Sequence, residues 1–174
     1  PGAGLPGITG DGGSYGGFGG DVSNISKIYG SFTWPISLGS AGGEDNNPTP
    51  RNNGGAGGGM VRLNVSNNLI LDGNITSFGR QAGSSAGAGS GGSILIVANN
   101  ISGEGNIMAN GGPSNAPSIN GAAEGGGGRV ALHVDVINLL GLVEALPGPG
   151  DDEDGSAGTI YINASSSLTS IGNI

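Results

Sequence analysis

Apolar and polar residues alternate over residues 93–98 (SILIVA), with Ile94, Ile96 and Ala98 falling on one side of an extended chain. Successive side chains of a strand point to opposite faces, so a period of two marks a half-buried β-strand. The same alternation returns in residues 60–65 (MVRLNV), 129–134 (RVALHV) and 159–164 (TIYINA). Small residues precede each block: Gly58-Gly59, Gly91-Gly92, Gly127-Gly128 and Ala157-Gly158. With Val61, Ile94, Val130 and Ile160 as first inward positions, the copies lie 33, 36 and 30 residues apart. A second short block follows in each copy, at Gly73-Asn74-Ile75, Gly105-Asn106-Ile107, Gly141-Leu142-Val143 and Gly172-Asn173-Ile174. Between the blocks a lone apolar residue recurs at Leu69, Ile101, Ile137 and Leu168. A degenerate earlier copy reads Gly30-Ser31-Phe32, then Leu38-Gly39-Ser40. Self-similarity at such a period is the mark of a repeat architecture.

No segment keeps the helical period over useful length, and glycine opposes helix throughout. The pattern therefore predicts an all-β chain, a glycine-rich parallel β-solenoid (β-helix) of about four to five coils with long Gly-rich loops. Residues 1–57 read as a Gly-rich N-terminal segment with the degenerate first coil. Residues 58–174 read as the repeats proper, about 58–90, 91–126, 127–156 and 157–174. Stacked coils set equivalent residues one strand spacing apart, about 4.8 Å. Val61, Ile94, Val130 and Ile160 then form one inward ladder, and Ile75, Ile107, Val143 and Ile174 another. Corners are expected at Asn67-Asn68, Asn99-Asn100, Gly103, Gly105 and Asn110, because glycine takes positive φ freely and asparagine tolerates it. The tracts 82–92 and 121–128 recur at one phase of the repeat, which predicts that they are partly ordered.

Composition changes what this architecture can do. Glycine supplies 41 of 174 residues, and only 10% of the chain is charged. The formal charge of −8 argues against nucleic acid and anionic lipid as partners, since nothing replaces phosphate counterions. No apolar run reaches the roughly 18 residues of a membrane helix, so no membrane insertion is expected. Without cysteine there are no disulfides, thiolate metal sites or cysteine nucleophiles. The chain opens at Pro1 with neither initiator methionine nor leader, as a processed or incomplete chain does. Asn-x-Ser/Thr sequons at Asn24, Asn64, Asn74, Asn100 and Asn163 carry no middle proline and point to a secreted chain bearing N-linked glycans.

Candidate chemistry is sparse. Asp151, Asp152, Glu153 and Asp154 sit in a Pro/Gly loop and are the candidates for calcium, but they lack the alternate spacing of an EF-hand, so no metal is assigned. Residues 16–21 (GGFGGD) begin like a calcium-binding nonapeptide, but Ser23 replaces the large apolar residue that should follow. Gly-x-Gly-x-x-Gly spacings open no helix and carry no P-loop lysine. His133, the only histidine, faces outward with no nucleophile to serve, and no carboxylate pair repeats on a strand face. The chain reads as no enzyme, with no cofactor. Trp34 and Tyr29 beside Pro35 suit either sugar stacking or a cap in which Phe32-Thr33-Trp34-Pro35 covers the first coil.

The succession GSAGG, GGAGGGMVRL, GSGGSILI, GNIMANGG, GGGGRVAL and AGTIYI resembles the glycine-rich parallel β-solenoid repeats of eukaryotic extracellular and cell-surface proteins. These include plant, oomycete and algal surface proteins and, more loosely, flagellar hairs (mastigonemes). The resemblance implies an extracellular, glycosylated, structural role and transfers no catalytic residues. The expectation is an extracellular structural glycoprotein module, a subunit of a filament or surface coat. The repeat breaks off midway at Gly172-Asn173-Ile174, which predicts head-to-tail self-association into a homopolymer. The alternatives are an adhesion module binding carbohydrate or calcium, and a fragment of a larger cell-surface protein.

Overall fold

The computed structural model describes residues 3, 10–20, 27–46, 52–114, 122–150 and 155–173, with side chains through residue 166. Its strands are β1 (Met60–Asn64), β2 (Asn68–Ile70), β3 (Asn74–Thr76), β4 (Ser93–Gly103), β5 (Asn106–Met108), β6 (Arg129–Glu144) and β7 (Thr159–Asn173). All seven belong to one sheet, ordered β1-β4-β6-β5-β3, with β2 also on β4 and β7 also on β6. Every pairing is parallel. Among the described residues there is no helix, so the all-β expectation agrees with the chain.

The solenoid expectation does not. The strands form one curled parallel sheet, a half-barrel, and not a stack of cornered coils. Asn99-Asn100, expected at a corner, lies inside the continuous strand β4, and β6 runs 16 residues without a corner. The physical reason is in the backbone angles. Positive φ among the described residues occurs at Gly30, Gly103 and Ser85, and at none of the asparagines. Only Gly103 (φ 117°) makes a bend of the expected kind, and a Cβ there would stand 2.2 Å from the Leu71 carbonyl oxygen. The early part of β6 continues the ladder of β4, while Val143 and Glu144 at its end pair with β5. One long strand thus spans both parts of the curl.

The concave side is apolar. Register sets Val61 beside Ile94, Ile94 beside Val130 and Val130 beside Ile160, and Ile75 beside Ile107 beside Val143. All seven belong to or pack against a core that also holds Ile96, Ile101, Leu132, Ile137 and Leu139. Each such side chain, fully buried, contributes about 1.5–3 kcal/mol of transfer free energy. Ile174, the remaining expected rung, lies outside the described residues.

The glycine tracts are not loops. Their backbone hydrogen bonds recur every third residue: Gly55 N–H to Gly87 O and Gly58 N–H to Ser90 O, then Ala88 N–H to Ala123 O and Gly91 N–H to Gly126 O. Tracts entering the strands also pair with tracts leaving them, as when Gly125 N–H donates to Gly112 O and Gly128 N–H to Ala109 O. Three residues per turn is the period of the polyproline II helix, whose backbone groups point outward to neighbours. The tracts therefore bundle through their main chains. A Cβ at Gly87, Gly89 or Gly125 would stand 1.9–2.0 Å from a neighbouring carbonyl oxygen, so only glycine allows this approach. Strands leave this bundle and return to it.

Candidate functional site

The convex face of the sheet carries the outward members of the same strands. Arg129, Ala131, His133 and Asp135 alternate along β6, and Thr159, Tyr161, Asn163 and Ser165 along β7. Register sets Ala131 beside Tyr161, His133 beside Asn163, Val97 beside His133 and Asn64 beside Val97.

Residues 27–40 lie across this face as a strap that bends at Gly30 and again over residues 32–34. The Trp34 and His133 rings meet edge to face with centroids 4.7 Å apart, and Phe32 meets Tyr161 the same way at 5.8 Å. His133 and Tyr161 are themselves 5.5 Å apart, and the Arg62 guanidinium stands 5.8 Å from the Trp34 ring centre. His133 Nε2 lies 2.6 Å from the Thr33 carbonyl oxygen. A carbonyl only accepts, so Nε2 carries the proton. The expected cap over the first coil is thus a cover over β6 and β7, because the aromatic side chains find ring partners there. Leu95 and Ala131, outward on their strands, are fully buried beneath other chain segments.

A second anchor holds the start of the strap. Arg129 donates from Nη2 (2.9 Å) and Nε (3.2 Å) to the Tyr29 carbonyl and from Nη1 to Thr159 Oγ1 (2.9 Å). Its guanidinium stands 5.3 Å from the Tyr15 ring centre, and Tyr15 and Tyr29 pack at 4.8 Å. The Ser93 hydroxyl donates to the Ser37 carbonyl (2.6 Å) and accepts from the Tyr15 hydroxyl (2.6 Å). The Tyr29 hydroxyl donates to Leu38 O at 2.6 Å. Burial pushes the Tyr29 phenol up, against the downward pull of its Ser40 hydrogen bond, and burial lowers Arg129.

Beyond the strap the face opens into a groove of about 270 Å³ lined by Val97, Asn99, His133, Asp135, Asn163 and Ser165. A register shift between Val134 and Val136 bulges β7 here, and the Ser165 hydroxyl donates to Asp135 Oδ1. A bulge re-aims side chains at a sheet edge. A second, apolar groove of about 420 Å³ lies beside β7, between Leu142, Ala145, Leu146, Ala157 and Ile160.

The described sequons differ in setting. Asn64 and Asn163 are exposed on the convex face. Asn74 accepts from Asn106 Nδ2 (2.9 Å), and Asn100 donates from Nδ2 to Asn68 Oδ1 (2.6 Å). Asn106 Oδ1 in turn accepts Leu142 N–H at 2.8 Å. These asparagines form amide ladders between parallel strands and not the corners expected of them. Their common spacing of 32 residues was the available signal. Asn24 and Asp151, Asp152, Glu153 and Asp154 lie outside the described residues. Among the described residues no group of three or more His, Asp or Glu side chains could hold a metal ion. Gly16, Gly17, Gly19 and Gly20, the start of the nonapeptide match, are buried. Among the described residues no helix is long and apolar enough to cross a membrane.

Comparison of the chain with protein-family models, with curated proteins and with solved structures returns no match.

Proposed function

We propose that this chain is a structural module of an extracellular glycoprotein assembly, joined to further copies through the edges of its curled sheet. The observation that carries the reading is that β1 and β7 each have one sheet partner among the described residues and run parallel. A second copy's β1 added to β7 continues the existing register. Val61 follows Ile160 and Leu63 follows Ile162 on the concave side; Arg62 meets Tyr161 and Asn64 meets Asn163 on the convex side. The apolar groove beside Ile160 supplies further surface for the incoming edge. Such a contact is heterologous and does not close, so it propagates into a filament or sheet-like coat. Extended edge strands are templates for this addition. The sequons support an extracellular setting, and the glycine-rich repeats support a place among surface proteins of that composition.

Light scattering and negative-stain microscopy over a concentration series test the reading. Concentration-dependent linear assemblies are expected, and Met60→Lys with Asn64→Lys on β1 abolishes them without changing the melting temperature. A monomer at every concentration overturns the proposal.

A further inference from the structure

We infer that Asn163, at the rim of the convex groove at β7, carries this chain's own N-linked glycan, with the first N-acetylglucosamine packed on Tyr161. The inference rests on the extracellular reading above and names one sequon and one stacking partner within it.

Four observations lead there. Asn163 is exposed, its side chain makes no hydrogen bond among the described residues, and it lines the groove of about 270 Å³. Tyr161 lies two positions earlier on the same strand face, about 6.6 Å along the strand. That is the reach of one pyranose ring lying back from the Asn163 amide, so the sugar's C–H face meets the phenol ring. His133, the cross-strand partner of Asn163, and Phe32 of the strap both pack against Tyr161, which stays half-buried; these contacts fix the phenol ring beside the sequon. Asp135 and Ser165 line the same groove. The groove lies on the side of Asn163 away from Tyr161, and its open volume leaves the amide accessible for modification.

No other described sequon combines these features. Two positions before Asn64, Asn74 and Asn100 stand Arg62, Asp72 and Ala98. Asn74 and Asn100 are also engaged in amide ladders, and a glycan on Nδ2 of Asn100 takes one of the two donors that its ladder draws on. The modification itself joins Asn163 Nδ2 to C1 of the sugar; the amide loses one proton, and C1 of a lipid-linked donor loses its diphosphate leaving group. A membrane oligosaccharide transferase acting on the emerging chain supplies that step.

The test is expression through a eukaryotic secretory pathway, with glycopeptide mass spectrometry at every sequon. The glycans are then trimmed to a single N-acetylglucosamine. Asn163 is expected to be occupied, and the trimmed wild type to melt about 2–4 °C above Asn163→Gln. Tyr161→Phe keeps that increment and Tyr161→Ala removes it. Nuclear Overhauser contacts between the sugar ring protons and Tyr161 in the wild type test the stacking without any variant. Occupied sequons elsewhere with Asn163 bare, or an increment that survives Tyr161→Ala, overturns the inference and leaves the extracellular reading standing. A secreted chain with no sequon occupied overturns both.

Discussion

The imidazole of His133 donates from Nε2 to the main-chain oxygen of Thr33, a hundred residues earlier in the chain, at 2.6 Å. The same ring lies between Trp34 and Tyr161. One side chain on β6 thus ties the aromatic strap to the outer face of the sheet. Replacing it by alanine removes a hydrogen bond and an aromatic contact, together about 1–3 kcal/mol. His133→Ala is expected to shift Trp34 fluorescence to the red and to expose residues 27–40 to protease. Urea unfolding should show a matching loss of stability.

The strap is also sensitive to alkali. Burial raises the Tyr29 phenol above its ordinary value, so the unfolded chain releases that proton first. The contribution of Tyr29 is then complete below its unfolded pKa of about 10 and is lost as pH rises through the folded value. Melting temperatures measured from neutral to strongly alkaline pH should fall in that window, and Tyr29→Phe should remove its share of the fall.

Glycines of the bundle should separate into those that tolerate a methyl group and those that do not. A Cβ at Gly87 meets the Asp11 carbonyl oxygen at 1.9 Å, whereas Gly59 and Gly73 have nothing within 4 Å. Gly87→Ala is expected to cost about 2–4 kcal/mol, and Gly59→Ala and Gly73→Ala less than about 1 kcal/mol. Denaturant titration of the three variants checks the order. Equal effects would show that close backbone packing is not what holds the bundle.

The inward rungs should behave as core and the outward ones as surface. Leu132 is fully buried within the ladder, while Leu140 on the same strand is 56% exposed. Leu132→Ala is expected to cost about 2–5 kcal/mol and Leu140→Ala within about 0.5 kcal/mol of zero. Thermal unfolding of the two variants distinguishes them.

Edge-to-edge joining also predicts a conflict between glycans. In-register addition sets Asn163 of one copy about 4.8 Å from Asn64 of the next. Two glycans on that row crowd one another. Asn64→Gln is therefore expected to assemble at lower concentration than the chain glycosylated at both positions, measured by light scattering. No difference between the two would place the contact elsewhere on the sheet.

Much of the sheet was legible in the order of residues. Strand period and repeat spacing identified Val61, Ile94, Val130 and Ile160 as equivalent positions, because each alternates with polar neighbours at one phase. Those positions are register partners in the sheet. The same reasoning failed at Asn68 and at Asn99-Asn100, which lie within strands, whereas Asn67 does sit in the bend between β1 and β2. An asparagine in a glycine-rich chain suits a turn and an amide ladder equally, and only the neighbouring strand decides between them. The strap was illegible for a related reason: Phe32 and Trp34 mark an aromatic cluster, but their partners on β6 and β7 are about a hundred residues away in sequence.

The glycines divide the two sources of information most plainly. Their number and phase, visible in the chain alone, excluded helix and required segments without side chains. Whether those segments turn corners or pack against one another depends on which carbonyl stands 2 Å from the missing Cβ. That neighbour comes from another repeat. That close approach was decided by tertiary structure, because backbone-to-backbone packing leaves no side-chain pattern to read.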